Sequence, residues 1–317
     1  MKQTAHIAAV VVTYNRLAML QQCVRALQQQ TAACDILIVD NASTDETQVW
    51  AQKYAKDHSN VFYRNTEKNI GGAGGFNAGM RWAAEQGYDF VWLMDDDCLS
   101  QADALENLLN ADKMLGGAEH YGYLSSAVLW TDGKECKMNR QKVKKSYYEY
   151  VHYLQAGLIQ VEQSTFVSLF VPMKTIRKVG LPIKEFFIWG DDIEYTRRIA
   201  VRHQMPCFMA GNSCVVHAMK ENNGSSIATD SIDRIQRYRF AFRNEAYLYR
   251  QEGVKGIAYY LAKCGLNFIR ILAKAQNHRL LRCRVLLGGM LKGLVFAPKV
   301  EMCLQNTAEQ ARQMQPA

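Results

Sequence analysis

The sequence lacks the features of a secreted, membrane-spanning or zinc-stabilised protein. Only five of its 317 residues are proline, and its nine cysteines are scattered without a CxxC pair. An odd, scattered set favours reduced thiols, as in the cytosol, over a disulfide framework or a structural zinc site. No stretch reaches the ~18 apolar residues of a transmembrane helix, and the apolar run at residues 7–12 is too short for a secretory signal. We therefore expect a cytoplasmic globular protein.

Acidic residues are scarce near the C-terminus, where most of the net charge lies. The chain carries a net charge of +8, and residues 251–300 contain nine Lys or Arg residues against one acid, Glu252. Apolar residues recur at helical spacing over 254–277 and 279–297, which predicts two basic amphipathic helices. Such a pair is typical of a surface that rests on anionic lipid, and an interface with a partner chain is the alternative. No nucleic-acid-binding module is visible, so nucleic acid is not an expected partner.

Strands and helices alternate along the first third of the chain. Short apolar runs predict strands at 7–12, 36–39, 61–63 and 89–94, and amphipathic spacing predicts helices at 17–30, 45–57 and 76–86. This alternation is typical of βαβ units, so we predict an α/β fold with a Rossmann-like, mostly parallel sheet. Further along, the pattern predicts a helix at 101–115, a strand at 123–129, a polar and basic excursion at 131–155, paired strands within 160–171, and helices at 173–179 and 191–203.

Three adjacent carboxylates, Asp95, Asp96 and Asp97, follow the most apolar of these predicted strands. Open α/β sheets bind ligands at the carboxyl ends of their parallel strands. Neighbouring carboxylates repel one another unless a cation or hydrogen bonds neutralise them, and Mg²⁺ is typically held by carboxylates together with substrate phosphates. The stretch therefore predicts a divalent-metal site for a nucleotide diphosphate. An acidic surface turn that caps a helix is the alternative.

Three other stretches are expected near these acids. Residues 13–16 follow the first predicted strand, and Asp40 follows the second, where it could accept a hydrogen bond from a base or ribose or could cap the next helix. The glycine-rich stretch 69–76 matches neither the dinucleotide-binding fingerprint nor the P-loop. We interpret it as a flexible loop that leads into a helix N-terminus facing an anion, and a plain turn is the alternative.

An aromatic and acidic cluster follows later in the chain. Trp189 and Gly190 end a predicted strand, and Asp191 and Asp192 open a helix, where acids are commonplace because they interact favourably with the helix dipole. Aromatic faces bind sugar rings, and a carboxylate beside them can act as a general base. His217 follows a short apolar strand, a position in which a histidine is usually structural.

These motifs, in this order, resemble the inverting glycosyltransferases of family 2, which have the GT-A fold. The resemblance covers roughly residues 5–250, and within the family it is to the galactofuranosyltransferases. Four patterns carry it: Thr13-Tyr-Asn-Arg16, Asn69 to Asn77, Met94-Asp-Asp-Asp97, and Trp189-Gly-Asp-Asp-Ile-Glu-Tyr195 with His217 downstream. One departure is Gly190, which stands between Trp189 and the two acids where that group usually has none.

The resemblance implies a metal site and a base. Asp95 and Asp97 correspond to the metal-binding DxD element, and His217 corresponds to the histidine that completes the site for Mn²⁺ or Mg²⁺. Asp192 corresponds to the general base, and Asp191 to its neighbour that contacts the acceptor.

The resemblance also implies the binding residues on either side of the reaction. Trp189 is expected to bind the acceptor. Asp40 resembles the residue that binds the uracil, and the full set implied for the donor is Thr13, Asn15, Arg16, Asp40, Asn69, Gly71, Gly72 and Asp96.

The implied organisation is a GT-A catalytic domain at residues 1–230, with a nucleotide-sugar half at 1–130 and an acceptor half at 131–230, followed by basic helices at 231–317. The implied activity is metal-dependent, inverting transfer of galactofuranose from UDP-galactofuranose to a hydroxyl of a surface-polysaccharide acceptor, such as lipopolysaccharide O-antigen or capsule, carried on a glycan or lipid-linked glycan.

Two alternatives to this activity stay open. One is rhamnosyl transfer from dTDP-rhamnose, and the other, of a different class, is a nucleotide-sugar-binding protein without catalysis. The basic helices imply peripheral contact with the cytoplasmic face of the inner membrane, and no oligomeric state follows from the sequence.

Overall fold

The N-terminal strand, Ile7–Thr13, is buried along its whole length and lies between two parallel neighbours. The computed structural model describes residues 5–303. Residues 1–4 of the predicted catalytic domain and residues 304–317 of the predicted C-terminal segment lie outside this range. The strands, in chain order, are β1 Ile7–Thr13, β2 Asp35–Asp40, β3 Val61–Asn65, β4 Phe90–Asp95, β5 Cys98–Ser100, β6 Leu124–Leu129, β7 Lys142–Val143, β8 Leu158–Gln163, β9 Leu169–Pro172 and β10 Phe208–His217.

The helices flank this sheet and continue into a C-terminal bundle. In chain order they are α1 Leu17–Gln28, α2 Thr47–Asp57, α3 Gly71–Glu85, α4 Ala104–Met114, α5 Met173–Val179, α6 Asp191–Arg197, α7 Ile232–Ile235, α8 Tyr238–Arg250, α9 Gly253–Lys274 and α10 Arg279–Val295. Helix α6 continues into a π-helical turn at Arg198–Arg202.

The sheet is mixed. Its order, over the described residues, is β3-β2-β1-β4-β9-β6-β10-β8-β7, with β5 paired to β10. Strands β1 to β4 pair in parallel, as the alternation of elements predicts, whereas β9 is antiparallel to both β4 and β6. The α/β fold class is confirmed, but the expectation of a mostly parallel sheet holds only for this N-terminal half. In the second half β10 is parallel to β6, whereas β5 and β8 are antiparallel to β10 and β7 is antiparallel to β8.

The two strands expected as a pair within residues 160–171 do not pair with each other. Strand β8 lies between β10 and β7, and β9 is inserted between β4 and β6. Two adjacent apolar runs suggested a hairpin, but the apolar content of a strand indicates only that it is buried and does not determine which strand it pairs with.

Both faces of the parallel strands are covered, which explains why their sequences are continuously apolar. Successive residues of β1 point to opposite sides of the sheet. Ala9 and Val11 enter the hydrophobic layer that contains α1 and α4. Val10 and Val12 enter the layer that contains α3.

Helix α3 begins at Gly71, several residues before its predicted start, so most of the glycine-rich stretch is helical. The glycines permit close packing on the sheet. A Cβ atom at Gly75 would lie 2.5 Å from Cγ1 of Val12, and one at Gly79 would lie 2.3 Å from Cγ1 of Val10. The low helix propensity of glycine hid this helix from the sequence pattern.

The C-terminal helices form a bundle with its own hydrophobic core. Phe242 of α8, Tyr260 of α9 and Leu286 of α10 belong to one buried cluster. Over residues 5–303, no helix combines the length and the apolar character needed to cross a bilayer.

Candidate active site

The ends of adjacent strands bring predicted site residues to one edge of the sheet. In the parallel register Thr13 pairs with Asp40, and β4 ends beside them at Asp95. The short strand β5 then pairs antiparallel with the end of β10, which places Cys98 opposite His217. Residues from distant parts of the chain therefore meet at the carboxyl ends of the parallel strands.

Asp95, Asp97 and His217 form a group that can hold a metal ion. Their ligand atoms all lie within 4.8 Å of one another, and Nε2 of His217 lies 3.1 Å from Oδ1 of Asp97. On its other side, Nδ1 of His217 lies 2.7 Å from Oδ1 of Asn139 and can donate to it. This bond orients the imidazole with Nε2 toward the carboxylates, as the outer partners of metal-binding histidines do.

The donor atoms fit a divalent cation. Carboxylate oxygens suit Mg²⁺ and Mn²⁺, and the imidazole adds one nitrogen ligand. Oδ1 of Asp97 is buried, and its one polar neighbour among the described residues is Nε2 of His217 at 3.1 Å. A buried oxygen of this kind is costly unless a cation or a donor satisfies it.

Burial and neighbouring charges set the ionisation of this group. Burial raises the pKa of Asp95 to about 6, and Asp97 adds to the effect. Burial also opposes the ionisation of Asp97, but His217 and Arg16 outweigh it and lower the pKa of Asp97 to about 2. Burial opposes the protonation of His217 as well, yet Asp97 raises the pKa of His217 to about 10. His217 is therefore protonated at neutral pH in the metal-free protein.

Asp96 bonds to the first loop instead of joining the metal-capable group. Its Oδ2 accepts a hydrogen bond from Oγ1 of Thr13 at 2.7 Å, and its Oδ1 lies 2.9 Å from Nη1 of Arg16. Nη2 of Arg16 also donates to Oδ2 of Asp97 at 2.7 Å. Thr13, Arg16 and Asp96 thus form one network with the acids, and their contact with a nucleotide stays a prediction.

Asp40 and Asn15 are engaged within the protein. Asp40 is fully buried; its Oδ1 accepts from the backbone N of Ser43 at 2.8 Å and its Oδ2 from the Tyr63 hydroxyl at 2.8 Å. Oδ1 of Asn15 accepts from the backbone N of Thr44 at 2.6 Å. Asp40 therefore organises the loop after β2 and does not cap α2, whose N-cap residue is Glu46; its expected bond to the uracil stays a prediction.

The start of α3 brings the glycine-rich stretch against the segment that leads into the second acidic cluster. Oδ1 of Asn69 accepts from the backbone N of Gly71 at 2.9 Å. Gly71 has a φ of +76°, and a Cβ atom there would lie 2.0 Å from the carbonyl oxygen of Phe187, so only glycine fits. Gly72 lines the cleft.

The second acidic cluster opens α6. Gly190 adopts the left-handed conformation, with φ 85°, which gives a conformational reason for a glycine before the acids. Burial raises the pKa of Asp192 to about 6, with Asp95 adding to the effect. Burial, and then the proximity of Asp192, raise the pKa of Asp191 well above its usual range. Burial therefore disfavours the ionisation of both acids.

Both acidic groups line one cleft with a volume of about 590 Å³. The metal-capable group and the Asp191–Asp192 pair face the same space, together with the aromatic ring of Trp189. Further walls come from Asn139, Gln163, Thr165, Phe166, Tyr238, Phe242, Glu245, Lys263, Asn267 and Arg270. Side chains from both sides of the predicted boundary at residue 230 thus line the cleft; the boundary itself stays a prediction.

Sequence reasoning missed two parts of this site. Asn139 lies in the polar excursion, where no periodicity marks it. Lys263, Asn267 and Arg270 of α9 share one helix face at spacings of four and three, a signal that could have indicated a polar wall. Their charge was instead assigned to a membrane or partner surface.

The mixed α/β sheet, with carboxylates at its strand ends and a second acid pair across the cleft, defines the chain as a glycosyltransferase with the GT-A fold. Residues 8–114 match the family model described as glycosyl transferase family 2. The chain is similar to galactofuranosyltransferase GlfT1 of Mycobacterium tuberculosis, with 28% identity over 80% of this chain and 84% of that protein. The resemblance seen in the sequence motifs is thereby confirmed.

Solved structures share the fold at low sequence identity. Staphylococcus aureus TarS superposes with a TM-score of 0.52 and 13% identity over 92% of this chain, and the chain spans only 44% of that structure. The mannosyltransferase PcManGT from Pyrobaculum calidifontis, solved with GDP-Man and Mn²⁺, superposes with a TM-score of 0.52 and 17% identity over 93% of this chain and 88% of that chain. These likenesses establish the GT-A fold.

Metal binding should release about one proton at pH 7.5, because a metal ligand must be a neutral imidazole and the pKa of His217 is raised to about 10. Affinity for Mn²⁺ should accordingly rise with pH up to that pKa. Isothermal titration calorimetry with Mn²⁺ in buffers of different ionisation enthalpy measures the proton. The His217→Ala variant, which keeps both carboxylates, should bind more weakly without this release. A binding enthalpy independent of the buffer would contradict the assignment.

Proposed function

We propose that the protein transfers galactofuranose from UDP-galactofuranose to a hydroxyl group of a surface-polysaccharide acceptor, with inversion at the anomeric carbon. The observation that carries the proposal is a metal-capable group and a separate acid pair in one cleft. Transfer from a nucleotide sugar uses both functions, since a cation stabilises the leaving diphosphate and a base activates the acceptor. The similarity to GlfT1 supports the choice of donor.

The mechanism is a single displacement. The acceptor oxygen forms a bond to the anomeric carbon while the bond between that carbon and the diphosphate oxygen breaks. Asp192 accepts the proton of the acceptor hydroxyl, and UDP leaves with the electron pair of the broken bond. Because attack and departure take place on opposite faces of the sugar ring, the anomeric configuration inverts. A pKa near 6 makes Asp192 a stronger base than an ordinary aspartate while it is still ionised at neutral pH.

The other groups of the cleft bind and orient the reactants. Asp95, Asp97 and His217 would hold the cation, which would act as a Lewis acid toward the diphosphate. Asp191, beside Asp192 in the cleft, would contact the acceptor. Trp189, half-buried at the same cleft, would bind the acceptor.

A donor panel tests the proposed function. The protein is incubated with lipid-linked glycan acceptors and with UDP-galactofuranose, UDP-galactopyranose or dTDP-rhamnose, nucleotide release is followed, and the product linkage is read by NMR. We expect release to be fastest with UDP-galactofuranose and to stop in EDTA. Preference for dTDP-rhamnose would identify a rhamnosyltransferase, and donor binding without release on any acceptor would identify a non-catalytic protein.

Removing the base should abolish turnover and spare donor binding. We expect Asp192→Asn to lower kcat by about 10²–10⁴-fold, the usual contribution of a general base, while the Kd for UDP stays unchanged. The control is Asp57→Asn, which removes one charge from an exposed aspartate at the end of α2 and should leave kcat unaltered. Full turnover in the Asp192→Asn protein would remove this residue from the role.

We further propose that α9 docks on an anionic membrane surface at the site of the reaction. Beside its buried residues, α9 exposes an apolar stripe formed by Val254, Ile257, Leu261, Phe268, Ile269 and Leu272. Lys255 and Lys274 are exposed on the same helix. Exposed apolar residues on a helix that also carries cations are typical of helices that lie in the interface of anionic bilayers.

Charged substitutions within the stripe should release the protein from lipid. We expect the double variant Leu261→Glu with Phe268→Glu to lose most sedimentation with phosphatidylglycerol vesicles, because each carboxylate would have to enter the headgroup region. Val49→Glu, at a position 72% exposed on α2, is the matched control and should sediment like the wild type. Equal sedimentation of both variants would refute docking through α9. The role of charge would be refuted if the wild-type protein sedimented as strongly with neutral phosphatidylcholine vesicles as with the anionic ones.

A further inference from the structure

The segment that leads into the second acidic cluster has an unusual backbone. We call residues 186–190 the tryptophan loop. Phe187 has φ 64° and ψ −59°, Trp189 has φ 65°, and Gly190 has φ 85°. Residues with side chains seldom adopt positive φ, and such conformations persist only where the surroundings enforce them. The loop leads directly into Asp191, so its path sets the position of the acid pair.

A tight turn lies at the centre of the loop. The backbone N of Ile188 donates to the carbonyl of Phe186 at 2.7 Å, which closes a three-residue γ-turn around Phe187. A γ-turn with positive φ is rare and strained. The turn therefore requires contacts from outside the loop.

Asn244 of α8 supplies these contacts. It is fully buried, and its Nδ2 lies 3.0 Å from the carbonyl oxygen of Phe186, 3.2 Å from that of Ile188 and 2.8 Å from that of Trp189. Its Oδ1 accepts from Nε and Nη2 of Arg243 at 3.0 and 2.8 Å. One amide side chain, itself held by an arginine, thus engages three carbonyls of a five-residue loop.

Helix α3 supports the loop from the opposite side. The carbonyl of Phe187 accepts from the backbone N of Ala73 at 3.2 Å, and the missing side chain of Gly71 makes room for it. The ring of Phe187 stacks on Phe240 of α8 with 5.0 Å between centroids. The loop is therefore fixed between the expected donor-side helix and a helix of the C-terminal bundle.

We propose that Asn244 is a positioning residue for the transfer reaction: by holding the strained tryptophan loop, it aims Asp192 and Trp189 into the cleft. The inference rests on the proposed function and extends the catalytic unit to α8, outside the predicted catalytic domain. Asn244 is out of reach of substrate because its polar atoms are already bonded within the protein. Its effect on the reaction is therefore indirect.

The test combines kinetics with a readout that needs no substrate. Asn244→Asp keeps the size of the side chain but removes both N–H donors and places a carboxylate against three carbonyls. We expect kcat to fall by about 100-fold, the usual effect of a small misplacement of a reacting group, with the Kd for UDP and Mn²⁺ unchanged. Hydrogen–deuterium exchange should speed up at residues 185–193 and stay unaltered in the core strands. Asn244→Ser, which keeps one donor, should show an intermediate kcat, and it carries the test if the Asp variant fails to fold.

The matched control is Arg250→Met in the same helix. Arg250 also donates to three backbone carbonyls, those of Gly293 and Leu294 at the end of α10 and that of Phe296 directly after it, and none of the three belongs to the tryptophan loop. This variant should lose stability while kcat stays within about twofold of the wild type. If Arg250→Met lost as much activity as the Asn244 variants, packing of the bundle in general would be what the reaction needs. That result would overturn the positioning role of Asn244.

The outcomes separate this inference from the proposed function. Three results would each overturn the positioning role. The first is faster hydrogen–deuterium exchange in the loop with unchanged kcat, and the second is unchanged exchange in the loop. The third is a parallel loss of UDP binding and turnover, together with faster exchange throughout the protein. If the wild-type protein transfers no sugar from any donor, the proposed function fails. Whether Asn244 holds the tryptophan loop is then decided by hydrogen–deuterium exchange alone. Faster exchange confined to residues 185–193 in the Asn244 variants supports this role, and unchanged exchange refutes it.

Discussion

The burial of like charges around one cleft is the constraint on which the rest of the site depends. Asp95, Asp97, Asp191 and Asp192 line the same cavity, and buried carboxylates close to one another cannot all ionise without cations. Neighbouring cations hold the pKa of Asp97 low, at about 2, whereas burial raises that of Asp192 to about 6. The cleft is thereby divided into a side suited to a metal ion and a side suited to proton transfer.

Strand order explains how this division is built. The N-terminal parallel strands place Asp95 at the edge of the sheet, and pairing of β5 with the end of β10 adds His217. The glycines at the start of α3 let that helix approach the carbonyl of Phe187, and Asn244 holds the same loop from α8. Backbone contacts, more than direct contacts between functional side chains, therefore fix the distance between the two sides of the cleft.

Local patterns predicted the parts of the fold that depend on local chemistry. An apolar run that ends in acids predicted β4 and the group at Asp95, because strand burial and carboxylate repulsion are both visible in adjacent residues. Position alone favoured a structural role for His217, and only the family resemblance indicated a metal ligand. The α3 start was missed because its glycines serve contacts with distant residues. The contribution of Asn244 was invisible for the same reason: the loop carbonyls to which it donates lie more than 50 residues away.

We infer that the two acidic groups serve one reaction across a shared cleft. Anomalous diffraction from a crystal of the protein with Mn²⁺ and UDP tests this directly. We expect one manganese peak bounded by Asp95, Asp97 and His217, in contact with the diphosphate, with the carboxylate of Asp192 facing the open side of the same pocket. A manganese ion bound elsewhere, or a diphosphate on the far side of the sheet from Asp192, would contradict it.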